Sequence, residues 1–275
     1  MTNVESMESS TTSPQTDLLC IHGFNASWHN WDPVVNGLQR HHRVHVARLA
    51  GHADGPALPT GVAPTGAALA DQLERDLDSA GVERAHLVGN SLGGWLALEL
   101  AARGRALSVT ALSPALGWEP TGKHLRTLAL KLFLGGQLMT RGAPLLPALL
   151  RSAVGRRALL KFAMAHGDRV STETALDFTD DMAECTISKP LKRWLLDTEH
   201  TLGPIDCPVH IAWAELDALI PLHPYAARFS SLVPHAKRSV LPDVGHVATY
   251  DDPGLVIRTV LEMTGSVDST SHGPA

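Results

Sequence analysis

Ala85-His86-Leu87-Val88-Gly89-Asn90-Ser91-Leu92-Gly93-Gly94 is the stretch on which the fold turns. Its first half is a short apolar run of the kind that forms a buried strand, and its second half opens a helical pattern over 92–103 that stops at Gly104. Between the two lies Gly-x-Ser-x-Gly. In a chain with 23 glycines such letters also arise by chance, so alone they say little. At a strand-to-helix junction they acquire a mechanical meaning. The turn must be so tight that side chains two residues either side of the serine would strike the strand or the helix, and Gly89 and Gly93 remove that collision. Ser91, between Asn90 and Leu92, is then pushed out above the sheet edge, where the following helix presents its N-terminus and favours negative charge. A glycine-rich turn whose serine merely caps a helix would carry the same letters, and only the rest of the chain separates the two.

Outward from this turn, short apolar runs at 18–21, 44–49, 107–112, 209–213 and 238–241 predict further strands. Helical patterns separate them, at 67–80 with Gly81 as the stop, at 224–232, and in a last helix with Asp252 as N-cap and Pro253 in its first turn. This alternation predicts a mostly parallel α/β sheet with helices on both faces. Over 115–201 the alternation breaks into helix-like stretches alone, which predicts a helical cap inserted over one end of the sheet. The expected organisation is a disordered tail at 1–16, a core made of 17–114 and 202–265, and a second disordered tail at 266–275, because both ends are rich in Ser, Thr, Gly and Pro.

The bulk numbers exclude several classes. A formal charge of −5 over 275 residues argues against a nucleic-acid binder. Cys20, Cys185 and Cys207 form neither a disulfide framework nor a CxxC pair, and a reducing, cytoplasmic setting is expected. The first residues lack a basic start and an apolar run, so no secretory signal is expected, and no integral membrane segment either.

A nucleophile needs a base, and the base needs an orienting acid. His246 follows Leu241-Pro242-Asp243-Val244-Gly245, a loop that leaves the last predicted strand. Asp217, and near it Glu215, hold the equivalent place one strand earlier, in Trp213-Ala214-Glu215-Leu216-Asp217. Both loops leave the carboxyl ends of parallel strands, where open α/β sheets bind ligands. The chain order Ser, Asp, His is the one with which this serine turn is paired.

With these residues in place the chain resembles the α/β-hydrolase superfamily from Leu18 to about residue 263. The resemblance implies an eight-stranded, mostly parallel sheet with a helical cap after the sixth strand. It implies that Ser91, Asp217 and His246 are the catalytic residues, with Asp217 rather than Glu215 as the acid. It implies an oxyanion hole from the backbone N–H groups of Phe24, in His22-Gly23-Phe24, and of Leu92. Only sixteen residues precede Asp17, so the two antiparallel strands that open the family's sheet are expected to be missing and the strand at 43–49 to lie at or near an edge. The Gly-Asn-Ser-x-Gly-Gly form and Ser27-Trp28-His29-Asn30-Trp31 are similar to the meta-cleavage-product hydrolases, which cut carbon–carbon bonds. Those enzymes usually carry arginine after the acid and tryptophan after the histidine, where this chain has Ala218 and Val247. The expected activity is therefore cofactor-free hydrolysis of a carboxylic ester or thioester, with a small-molecule acyl substrate. Carbon–carbon hydrolysis of a diketone-like compound, and a non-catalytic ligand-binding homologue, are the alternatives.

Between 115 and 170 nine basic residues face only Glu119 and Asp168, a net +7 in an acidic protein. Leucines interleave at helical spacing, so the segment reads either as an amphipathic lid with a solvated basic face or as one that draws in an anionic substrate, an acyl carrier's phosphopantetheine arm or a membrane surface. Trp118, Phe133, Phe162 and Trp194 supply apolar bulk for an acyl pocket, none with an assigned contact. His41, His42 and His45 cluster in sequence, but on a strand positions 41 and 45 stand ~13 Å apart, too far to share a metal ion, and no metal site is expected.

Overall fold

The computed structural model describes residues 15–118, 123–141, 145–197 and 199–271, with the side chains at 123, 135–141, 197 and 271 excepted. Among these residues six strands form one sheet: β1 (Asp17–Ile21), β2 (Arg43–Val46), β3 (Ala85–Asn90), β4 (Ala106–Leu112), β5 (Val209–Ala214) and β6 (Lys237–Leu241). Every pairing is parallel, in the order β2-β1-β3-β4-β5-β6. The chain moves outward from β1 to β2, returns to β3, and then steps the other way to β6. Neighbouring strands β1 and β3 thus lead off in opposite directions, which opens a crevice at their carboxyl ends.

Twelve α-helices and one 3₁₀ helix (Trp28–Trp31) accompany the sheet among the described residues: α1 (Asp32–Leu38), α2 (Gly66–Ser79), α3 (Leu92–Ala102), α4 (Lys123–Arg141), α5 (Leu146–Leu150), α6 (Ala153–Leu159), α7 (Thr172–Glu184), α8 (Ser188–Asp197), α9 (Leu222–Tyr225), α10 (Phe229–Leu232), α11 (Ala248–Asp251) and α12 (Pro253–Ser271). Strand alternation sorts the core into two layers. Leu19, Ile21, Leu87, Val109 and Trp213 pack towards α2 and α3, whereas Leu18, Cys20, Val88, Leu112 and Ala212 pack towards α1 and α12. Burying one such leucine contributes about 2 kcal/mol, so a strand buried along its whole length, as β3 is, anchors both layers.

Edge strand β2 manages its exposed flank with charge. Arg43 donates to both Asp17 oxygens at 2.6 and 2.7 Å, and His45 Nε2 meets Asp17 Oδ1 at 2.7 Å. Its regular part ends at Val46, short of the expected residue 49.

The helices α4 to α8 stand between β4 and β5. They have an apolar centre of their own, in which Leu146, Leu150, Met164 and Phe178 pack with Val247 of the last core loop. Two of the basic residues here are engaged locally. Arg156 donates to the carbonyls of Leu150 and Arg151 at 2.9 and 3.1 Å, and Arg157 pairs with Asp168 at 3.8 Å.

The six strands among the described residues agree with the expectation that the two opening antiparallel strands of the family's eight are missing; the expected tail at 1–16 lies outside the described residues up to residue 14, and Thr16 already accepts the N–H of Arg43 at 3.0 Å. The structure departs from the expectations in two places. The expected C-terminal tail at 266–275 is helical to Ser271, the last described residue. Its hydroxyls bond back to carbonyls one turn earlier (Ser266 to Met263, Ser269 to Ser266, Thr270 to Val267), and Asp268 meets buried His86 at 3.1 Å. Composition alone hides such ties. Finally, the helix expected over 224–232 is broken into α9 and α10 by a turn at 226–228, where the N–H groups of Ala227 and Phe229 donate to the carbonyls of Pro224 and Ala226, only three residues back. The N-cap of the last helix is as read: Asp252 Oδ1 accepts the N–H of Leu255 at 2.8 Å.

Candidate active site

Ser91 joins β3 to α3 with φ 58 and ψ −118, a left-handed conformation that costs a non-glycine residue energy and is held only by its surroundings. Those surroundings are backbone. A Cβ on Gly89 would lie 2.1 Å from the carbonyl oxygen of Gly93, and one on Gly93 would lie 2.0 Å from that of Ile21 in β1. Asn90 ties the turn sideways, its amide donating to the carbonyl of His246 at 2.8 Å and to that of Leu112 at 3.3 Å. The residue before the serine is thus bonded to the histidine's own backbone.

Gly23, beyond the end of β1, comes so close that a Cβ there would sit 3.2 Å from Ser91 Cβ. Its loop is fixed by His22, which is fully buried: the Nδ1–H donates to the Gly23 carbonyl at 3.0 Å, and Nε2 accepts the Leu49 N–H at 3.3 Å. Burial, with His52 adjacent, pushes the His22 pKa down to about 3, so the ring is neutral and can accept at one nitrogen while donating at the other. Among the described residues, neither the Phe24 N–H nor the Leu92 N–H is bonded to another protein group. Both residues line the same cavity as Ser91.

Asp217 follows β5 and His246 follows β6. His246 Nδ1 and Asp217 Oδ2 are 2.7 Å apart, both side chains nearly inaccessible to solvent. The second carboxylate oxygen accepts the N–H groups of Leu219 and Ile220 at 3.0 and 2.8 Å, so the acid is held from two sides. Glu215, the competing acid, is exposed and accepts the Asp243 N–H at 3.0 Å instead. The His246 loop is pinned to the helical insert. Asp251 accepts from Gly245, Ala165 and His166 at 2.7 to 2.9 Å, and the Val247 N–H donates to the Ala163 carbonyl at 2.7 Å.

Ser91 and His246 share the wall of a cavity of about 480 Å³ that is otherwise mostly apolar, with Trp118, Leu128, Phe162, Phe178 and Leu195 among its lining. No hydrogen bond joins the serine hydroxyl to the imidazole among the described residues; such contacts commonly tighten only as substrate closes the site. The sequence reading missed Lys131 of α4, whose ammonium donates to the carbonyls of Ala218 and Leu219 at 2.5 and 3.1 Å and so braces the acid's loop. It was legible only as one basic residue among nine, because helical periodicity does not tell which face turns inward.

The described residues bring no metal-ligand cluster to the cavity. Elsewhere His42, His86 and Asp268 place one ligand atom each within 4.8 Å of one another. Their donors are already engaged, His42 with Thr16 and Thr264 at 2.9 Å each and His86 with Ser108 at 2.8 Å, and the group works as a network fastening α12 to the sheet. No helix of the described residues is long and apolar enough to cross a membrane.

Comparison with known proteins agrees with this architecture. Residues 18–259 match the model of the alpha/beta hydrolase family. The epoxide hydrolase EphH of Mycobacterium tuberculosis is 33% identical over 201 residues, which is 70% of this chain and 92% of that protein. Among solved structures, a membrane phospholipase A described as a bacterial virulence factor superposes with a TM-score of 0.71 at 22% identity, covering 92% of this chain and 80% of the other. The naproxen esterase (carboxylesterase NP) of Bacillus subtilis does so with 0.69 at 20% identity, covering 92% and 84%. At such identities the two structures speak for the fold alone. With the family model spanning nearly the whole sheet and the serine turn at its switch point, this chain belongs to the alpha/beta hydrolase family.

Proposed function

We propose that the protein hydrolyses a carboxylic ester or thioester through an acyl-enzyme on Ser91, with His246 as general base and acid and Asp217 as the orienting carboxylate. The observation that carries this reading is the 2.7 Å contact of Asp217 with His246 Nδ1, which leaves Nε2 for the cavity that Ser91 also lines. Ser91 Oγ attacks the carbonyl carbon while His246 Nε2 takes its proton, and the buried carboxylate stabilises the imidazolium that forms. The oxyanion accepts from the free N–H groups of Phe24 and Leu92, each worth about 3 kcal/mol of barrier. Collapse expels the alcohol or thiol with the proton from His246, and water repeats the sequence on the acyl-enzyme. No cofactor enters any step.

The relative named as an epoxide hydrolase raises ring opening as another chemistry. A serine oxygen that opened an epoxide would be left as an ether, which the water step cannot release, whereas an acyl ester hydrolyses readily. Ser91 therefore favours carbonyl substrates. Ala218 and Val247 stand where carbon–carbon hydrolases usually have arginine and tryptophan, and support the same preference. The three unpaired, buried cysteines suit a reducing compartment such as the cytoplasm. Against a panel of p-nitrophenyl esters and acyl thioesters, Ser91→Ala is expected to lower kcat at least about 10⁴-fold with an unchanged circular-dichroism spectrum. Turnover that survives the substitution would reject the mechanism.

A further inference from the structure

Among the described residues the lining of the cavity includes three lysines, Lys131 of α4, Lys161 and Lys192 of α8, and no aspartate or glutamate. Two of these ammoniums lie near one ring: Lys161 Nζ is 4.9 Å and Lys131 Nζ 5.9 Å from the centroid of Phe162, which itself lines the cavity. None of the three lysines makes an ion pair among the described residues. Lys131 is partly withdrawn from water against the mostly apolar chamber, whereas Lys161 is exposed to solvent, so an anion that meets both would replace hydration that Lys131 has lost. Burial holds the Lys131 pKa below the usual lysine value, offset in part by Asp217, the one carboxylate acting on it, which is already bonded to His246. Lys131 also gives two of its three N–H donors to the carbonyls of Ala218 and Leu219, which leaves one for a ligand.

We infer that the acyl chain of the substrate ends in a second, anionic group, a carboxylate, that docks at Lys131 and Lys161 beside Phe162 while the scissile carbonyl lies at Ser91. An anchor on the acyl side serves both halves of the reaction, because the acyl part stays in the cavity after the first product leaves. The flanking leucines accommodate the methylenes between the two ends, so the substrate class is the monoesters or monothioesters of dicarboxylic acids. Arg156 and Arg157, the adjacent pair in the insert's basic run, are not among the residues that line the cavity. This inference rests on the ester-hydrolase reading, and its test is built to fail separately from it.

Mono-p-nitrophenyl esters of four- to ten-carbon dicarboxylic acids are compared with neutral p-nitrophenyl esters of equal length, on the wild type and on Lys161→Met. At one chain length the anionic ester is expected to have a kcat/KM at least about tenfold above its neutral counterpart, carried by KM and diminished by added salt. Lys161→Met is expected to reduce that preference about tenfold, and Lys161→Glu to invert it. Equal kcat/KM for the charged and neutral series at every length, or a preference that survives Lys161→Glu, would overturn the inference. If neither series is turned over, the ester reading fails by itself. Calorimetric titration of Ser91→Ala with adipate, hexanoate and 6-phosphonohexanoate then decides. Binding of adipate about tenfold tighter than hexanoate upholds the anion site, and tighter binding of the phosphonate assigns it to phosphate instead. Equal binding of all three removes it.

Discussion

The turn at 89–93 and the insert at 115–201 face each other across one cavity, and different forces fix them. At the turn backbone meets backbone: Gly93 lies so near the Ile21 carbonyl that even one methyl group has no room. In the insert side chains do the fixing, through a small apolar cluster and through bonds such as His29 and Ser27 of the core to Asp181 of α7. The first arrangement admits almost no variation in sequence or position. The second tolerates exchange of one apolar residue for another, and leaves Leu130, Phe133, Leu134 and Val154 exposed. On the function proposed above, chemistry falls to the part that cannot adjust and selection of substrate to the part that can.

The contrast is tested most severely at the acid. Asp217→Asn preserves shape but offers the imidazole the wrong partner, and kcat is expected to fall about 10⁴-fold with little change in the urea midpoint. An effect below tenfold would mean that the rigid wall does not carry the chemistry. Next in size, Gly93→Ala is expected to cost about 3 kcal/mol or more of stability, or to prevent folding, while Val154→Ser in the insert stays within about 0.5 kcal/mol. Comparable costs at the two positions in equilibrium urea unfolding would erase the distinction.

Two pH effects of opposite sign sharpen it further. Burial lowers the pKa of His22 to about 3 and of His52 to about 4, from 6.5 for an ordinary histidine. Between 6.5 and those values the unfolded chain binds more protons than the folded one. Their contribution to stability is therefore complete above pH 6.5 and is lost as pH falls, by about 1.4 kcal/mol per pH unit for each ring. A flat urea midpoint between pH 6.5 and 5 would contradict this. At the insert, burial pulls His29 down, but Asp181, aided by Asp32 and Asp177, outweighs it and raises the pKa above 6.5. The bond to Asp181 is at full strength below pH 6.5 and weakens as pH rises through the raised value. The effect is expected to stay below about 1 kcal/mol, since the imidazole is partly exposed. His29→Gln should remove it from the thermal midpoint between pH 6 and 8, and an identical pH profile in that variant would show that the insert is not held this way.

Most of the rigid wall was legible in the sequence. Gly89 and Gly93 announce a close approach that only glycine permits, and Asp252 with Pro253 marks the start of the last helix. Ser91, Asp217 and His246 fall at strand ends because apolar runs give those ends away. Less of the insert was legible. Amphipathic helices declare that one face is buried but not against what, so Lys131 and Lys161 could not be told from Arg156 and Arg157, although the first pair lines the cavity and the second does not. The continuation of α12 past residue 265 depends on His86, far away in sequence, which local composition cannot reveal.

The insert leaves the sheet after β4 and returns at β5, and these two strands are immediate partners, with Leu112 beside Ala212. Because the pairing is parallel, the chain leaves past Leu112 at the carboxyl end of β4 and re-enters at Val209, opposite Val109, so the two feet stand on one ladder but about three residues, or ~10 Å, apart along it. An insert held at so short and fixed a span can lengthen at small entropic expense, because closure cost grows only with the logarithm of length. Length is therefore the easy variable in this insert, and what it has to keep are its ties to the core at Ser27, Ala218 and Asp251.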